Sequence, residues 1–276
     1  MNRFPKVLFS IISLFLYIVS HKKPTSIIFI LLLLLISCTN KNKLADSSFV
    51  KISGVIANAE NHQLFLQLLN YNEKLTIDSA ILGKDEKFYF SYMPVEKAIF
   101  LLKKDENNYI TIIADKGENI EITSDYESFE KDYSIKGSDD SQLLCELNNH
   151  LQMNQKKLDS IAKLWETAIK LPNRTEIKQG LDSVYYKAAT NQYLFQKQFI
   201  ETNSGSLASL IALYLPFGRD AVLRESADFA LFEKVSNDLM KKLPNNSHSI
   251  NFAKRIKQKK MLELEKNLSE KAANNK

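Results

Sequence analysis

The hydrophobic period of this chain changes once, near Ser138, and that change confines the fold to a sheet unit followed by a helical unit. Between Phe49 and Gly137 the apolar residues alternate in short runs, as in Leu64-Phe65-Leu66-Gln67-Leu68 and Asn119-Ile120-Glu121-Ile122. Alternation by two puts every second side chain on one face of a strand. Strands are expected over 49–56, 62–69, 75–82, 87–92, 98–103, 109–114, 119–123 and 133–136, with Gly54 marking a bulge. Gly83-Lys84-Asp85 turns one hairpin and Lys104 to Asn108 another. Strands this short and this regularly spaced predict a small antiparallel β-sandwich or open barrel over 49–137.

After Ser138 the spacing becomes helical. Leu147, Leu151, Asn154, Leu158, Ile161, Trp165 and Ala168 recur by fours and threes until Pro172. Ser138 or Asp139 is the expected N-cap. Asn173 and Glu176 resemble a capping box for a second helix with Ile177, Leu181, Val184, Ala188, Asn191 and Phe195 on its seam. The two predict a long α-helical hairpin in which Asn154 and Asn191 meet across the seam. Three shorter elements follow: 206–215 before Pro216, 226–243 before Pro244, and 247–273. The fold class is therefore α+β, with a β domain over 49–137 and a helical domain over 138–276.

The N-terminal segment carries a different message. Ile27 to Ile36 is an apolar run of about ten residues behind His21-Lys22-Lys23, and Ser37-Cys38 follows it. A bilayer span needs roughly 20 apolar residues, whereas an export signal needs roughly 7–15. A basic flank, a short apolar core, a small residue and then cysteine form the pattern of a lipoprotein signal. Cleavage before Cys38 and lipidation of its thiol are expected, because only a thiol forms the thioether to diacylglycerol. Val7 to Val19 is a second apolar stretch, read either as an over-called start (1–20) or as part of a long signal. Residues 38–48 read as a lipidated, polar tether. The expected address is the periplasmic face of the outer membrane, since no acidic run follows Cys38.

Composition then narrows the function. The chain carries 37 basic and 32 acidic residues, net +5. Residues 1–37 hold Arg3, Lys6, Lys22, Lys23 and no acid, so their removal leaves a charge near +1. The basic character belongs to the signal and gives no reason to expect a nucleic-acid partner. The cluster Lys254, Arg255, Lys257, Lys259 and Lys260 alternates with no aromatics and reads as a solvated helix face. There are two cysteines; lipidation of Cys38 leaves Cys145, expected near the core between Leu144 and Leu147. His62, His150 and His248 are dispersed and expected at the surface. No catalytic residue, cofactor-binding residue or metal ligand is assigned, and no enzyme activity is expected.

Several motifs together resemble a known family. They are Phe49 to Ile56, Ile77-Asp78-Ser79-Ala80, Gly83 with Phe88-Tyr89-Phe90, and the exit Lys136-Gly137-Ser138. These are similar to the domain of unknown function 4369, found in lipoproteins of Bacteroidetes-type bacteria. The resemblance implies an accessory region of AhpC/TSA (TlpA-like) thiol-disulfide oxidoreductases, with Asn203 to Leu210 in its helical spacer, and covers roughly Phe49 to Leu262. Those enzymes continue into a thioredoxin domain with a C-x-x-C pair. This sequence holds no C-x-x-C, so the redox step is not carried over. What remains is a binding or scaffolding module with an unknown envelope protein or ligand as partner. The alternative is an accessory protein to, or truncated remnant of, such an oxidoreductase.

Overall fold

Eight strands pair into two four-stranded sheets whose facing apolar sides cover one another. The computed structural model describes residues 48–218 and 220–274. The strands are β1 (Val50–Ala57), β2 (Gln63–Leu69), β3 (Lys74–Ile81), β4 (Lys87–Tyr92), β5 (Ala98–Lys103), β6 (Tyr109–Ala114), β7 (Asn119–Asp125) and β8 (Tyr133–Lys136). One sheet runs β4-β1-β7-β8 and the other β3-β2-β5-β6. Ile52, Phe90, Ile120 and Ile122 from the first sheet pack with Leu64, Leu66, Phe100, Leu102, Ile110 and Ile112 from the second. The sheets are not joined into a barrel, so the sandwich is the outcome.

Every pairing is antiparallel except β1 with β7, where Ile52 lies beside Ile120 and Gly54 beside Ile122. Gly54 is therefore not a bulge. Its register on both neighbours is continuous, and the register shift lies at Leu66/Gln67 against β3. The reason for glycine is proximity: a Cβ there would stand 1.8 Å from the Ile122 carbonyl oxygen. Gly137 meets the same constraint against the Asn119 carbonyl and adds a φ of +89° that glycine tolerates best.

Five helices follow: α1 (Asp139–Ala168), α2 (Arg174–Asn203), α3 (Leu207–Ala212), α4 (Phe229–Lys242) and α5 (Ser247–Asn274). A two-residue ladder, β9 (Pro216–Phe217) with β10 (Asp220–Ala221), lies between α3 and α4 and had no counterpart in the sequence pattern. Ser138 caps α1, its Oγ accepting from the Ser141 amide. The capping box at α2 does not form; Asn173 occupies the cap position without a side-chain bond. Asn246 caps α5 by accepting from His248 and Ser249, and Glu96 in the β4–β5 loop accepts from the Ser247 amide and hydroxyl. Among the described residues no helix is long and apolar enough to cross a membrane.

The helices build a second core on the outer face of the β3-β2-β5-β6 sheet. Ile99 and Ile113 turn away from the sandwich and pack with Leu144, Leu147, Ile200, Leu207, Phe232 and Val235. All six residues of β5 are consequently buried, the signature of a strand covered on both faces. Residues Phe49–Lys276 cluster as one compact unit, so the β and helical segments share this second core.

Within the α1–α2 hairpin the predicted seam of α1 holds; on α2 Ile177, Leu181, Ala188 and Phe195 hold, while Val184 and Asn191 are exposed and the seam runs through their neighbours Tyr185 and Gln192. Asn154 is buried, but its partner is Gln192, whose Oε1 accepts from Asn154 Nδ2 at 3.0 Å. Asn191 is exposed. Gln192 Nε2 donates to Gln196, and Gln196 Nε2 donates to the Ala212 carbonyl at 2.6 Å. A buried amide chain therefore ties α1 through α2 to the end of α3.

Candidate functional site

Two cores on opposite faces of one sheet leave a gap where the helical layer stops short of the sheet edge. The gap is a half-open cleft of about 560 Å³, within the usual range for ligand sites of roughly 300–1,000 Å³. Its floor is the outer face of β2, β5 and β6, through Leu69, Ile99, Tyr109 and Thr111. One wall is Leu144 and Asn148 of α1, which the Ser138 cap aims across the sheet edge. The other wall is Leu210 and Ile211 of α3 with Tyr214, Leu215 and Pro216 after it. Pro216 ends the helical run, so this segment turns along the cleft instead of covering it.

A few polar groups stand among these apolar ones. His248, at the start of α5, donates from Nε2 to the Leu69 carbonyl at 3.0 Å, and burial holds its pKa below the usual histidine value. At the other end Asn148 Nδ2 donates to the Glu130 carbonyl at 3.1 Å. The Glu130 side chain reaches Lys131 at 4.0 Å through Oε1, while its Oε2 is buried without a hydrogen-bond partner. Tyr214 is 45% exposed at the rim, and burial of the rest of its ring pushes its pKa up to about 12. The site offers shape, apolar surface and the partly exposed carboxylate of Glu130 at one end. It presents no activated nucleophile.

Cys145 lies outside the cleft, in the sandwich core. Its thiol donates to the Tyr133 carbonyl at 3.3 Å, and burial raises its pKa, which suppresses the reactive thiolate. His150 and His248 are half-buried, not at the surface as expected. His150 stacks on Phe195 at 3.6 Å and bonds Gln192. His62 is exposed and stacks on Tyr126. Among the described residues no group of three or more His, Cys, Asp or Glu is placed to hold a metal ion. In the basic cluster, Arg255 and Lys259 pair with Glu225, and Lys260 pairs with Glu233, as a charge-balanced helix face requires. The lipidation residue Cys38 lies outside the described residues.

The span from β1 to the second turn of α1 coincides with a known unit. Residues 50–144 match the model of the family described as Domain of unknown function (DUF4369). The match takes in the whole sandwich, the Ser138 cap and Leu144, and so the floor of the cleft and the start of its α1 wall. The wall from α3 and the His248 end lie beyond the DUF4369 match. No curated protein and no solved structure matches the chain.

Neither the residues of α3 nor Tyr214 was picked out as functional by sequence reasoning. The available signal was β5: an unbroken apolar run from Ala98 to Leu102 in a sheet otherwise alternating implies that something covers its second face.

Proposed function

We propose that this protein is a membrane-anchored lipoprotein at the periplasmic face of the outer membrane, tethered through Cys38, and that it acts as a non-catalytic binding or scaffolding module. The observation that carries the binding role is the cleft. Its floor and walls are built largely from residues of the second core, so it is pre-formed, and its lining is apolar with polar groups at the ends. Supporting the anchor is the run from His21 to Cys38, in which basic flank, apolar core and Ser37 all agree. More than one acyl chain is needed for stable attachment, which Cys38 lipidation supplies.

Palmitate labelling of the wild-type chain and of Cys38→Ala tests the anchor. Label in the wild type alone, with the protein in the outer-membrane fraction, is the expected result. An unlabelled wild-type chain overturns the localisation.

A second reading is favoured by the match of residues 50–144, given the resemblance of such domains to the accessory regions of thioredoxin-like enzymes. Here the cleft serves a separately encoded oxidoreductase. A deletion strain with altered periplasmic thiol status supports it; an unchanged thiol status removes it.

A further inference from the structure

Among the described residues the edge of β6 is the part of the sandwich left both open and unguarded. Strand parity fixes what it offers. Lys104 donates to the Asn108 carbonyl, so Asn108, Ile110, Ile112 and Ala114 direct their backbone groups at β5. Tyr109, Thr111 and Ile113 direct theirs outward. Ile113 is taken: Ser141 Oγ accepts from its amide at 2.9 Å, and Ser138 and Ser141 donate to its carbonyl at 2.6 and 2.8 Å. The outward amides and carbonyls of Tyr109 and Thr111 have no protein partner among the described residues.

Folded proteins guard such edges with charge, proline, bulges or cover. The other three edge strands obey. β3 carries Lys74 and Asp78, β4 carries Lys87, and β8 is short and ends in Lys136. β6 reads Tyr-Ile-Thr-Ile-Ile-Ala, without a charge or a proline. Its open stretch is the stretch that lines the cleft, with Tyr109 and Thr111 on the floor and Glu130 and Asn148 beyond the edge.

We propose that the cleft binds an extended peptide segment, which adds to β6 as a fifth strand of the β3-β2-β5-β6 sheet. The occupant's chemistry follows from the lining. Alternating donors and acceptors at a two-residue repeat are what an extended backbone supplies to Tyr109 and Thr111. Its alternate side chains are apolar, because one of its faces lies against Leu144, Leu210, Ile211 and Leu215. A lysine or arginine at one end pairs with the Glu130 carboxylate, which lines that end of the cleft and is partly exposed. The serine clamp on Ile113 ends the ladder, so the paired stretch is short, and side chains rather than ladder length set specificity. This inference rests on the binding-module reading.

The test pans the full chain in detergent against a displayed library of random eight-residue peptides, then follows the best binder by amide hydrogen exchange. Enriched peptides are expected to alternate apolar residues and to carry lysine or arginine. Their binding slows exchange at the Tyr109 and Thr111 amides at least tenfold and leaves Ile110 and Ile112 unchanged. N-methylation of alternate peptide amides abolishes binding in one phase and spares it in the other, a readout independent of any variant's folding. Glu130→Gln weakens lysine-bearing peptides by about tenfold. Protection at other amides, tolerance of N-methylation in both phases, or no enriched peptide overturns the proposal. If a naphthalene-sulfonate dye fills the cleft and no peptide does, the peptide assignment falls and the binding module stands. If neither enters, both fall.

Discussion

Two glycine-to-alanine changes, identical in chemistry, are predicted to move stability in opposite directions. In Gly54→Ala the new Cβ would lie 1.8 Å from the Ile122 carbonyl oxygen, 2.8 Å from its carbon and 3.0 Å from Phe88 Cε1. The first two atoms are backbone, so no rotamer change relieves the clash. β1 cannot retreat either, since Gly54 is in register with Phe88 on one side and Ile122 on the other. Overpacking costs about 1–3 kcal/mol when side chains can yield, and more when they cannot, so a loss of about 3 kcal/mol or more is expected. In a domain of this size that lowers Tm by roughly 6–12 °C. Gly180 is exposed, two turns into α2, with nothing within 4 Å of its Cβ position. Gly180→Ala there removes a helix-interior glycine and stabilises by about 1 kcal/mol, raising Tm by roughly 2–4 °C. Thermal unfolding followed by circular dichroism reads both. A Gly54→Ala protein that melts with the wild type would show that β7 does not lie against β1, and the sandwich topology would have to be redrawn.

The buried amide chain of the hairpin gives a second prediction. Gln192→Ala removes the acceptor that Asn154 Nδ2 and His150 Nδ1 share and the donor to Gln196 Oε1, and costs about 1–3 kcal/mol in urea unfolding, whereas Asn191→Ala, at the exposed neighbouring position, stays within about 0.5 kcal/mol. His248 gives a pH dependence. Its folded pKa is depressed by burial below the ordinary 6.5, so the unfolded chain takes the proton first. Stability is full above pH 6.5 and declines as pH falls below it, and His248→Gln flattens that part of the profile. Cys145 is predicted to resist a thiol reagent such as a maleimide in the native protein and to react on unfolding; rapid native labelling would place the thiol at the surface.

The sheet elements were legible because alternation in runs such as Leu64 to Leu68 is a local property, and the strands at 98–103 and 109–114 fall at the expected residues. The pairing of β1 with β7 was not legible, since Gly54 looks the same in a sequence whether it marks a bulge or a close approach. On α2, Val184 and Asn191 drew the seam one residue off its true line through Tyr185, Ala188 and Gln192. A buried glutamine defeats an apolar template, and a 3.6-residue helix drifts from a strict four-three spacing. The cleft was hidden for a different reason. Leu69, Thr111, Leu144 and Tyr214 are far apart in the chain, and only the second core on the outer face of the sheet brings them together.

A binding role for the cleft requires that it be the surface that meets the partner. A photoreactive aromatic residue in place of Tyr214, on the cleft rim, compares directly with one in place of Tyr89, 58% exposed on the outer face of the other sheet. Illumination of cells carrying each full-length protein is predicted to give a discrete cross-linked envelope species from position 214 and none from position 89. The same products from both positions, or products from 89 alone, would contradict a binding role for the cleft.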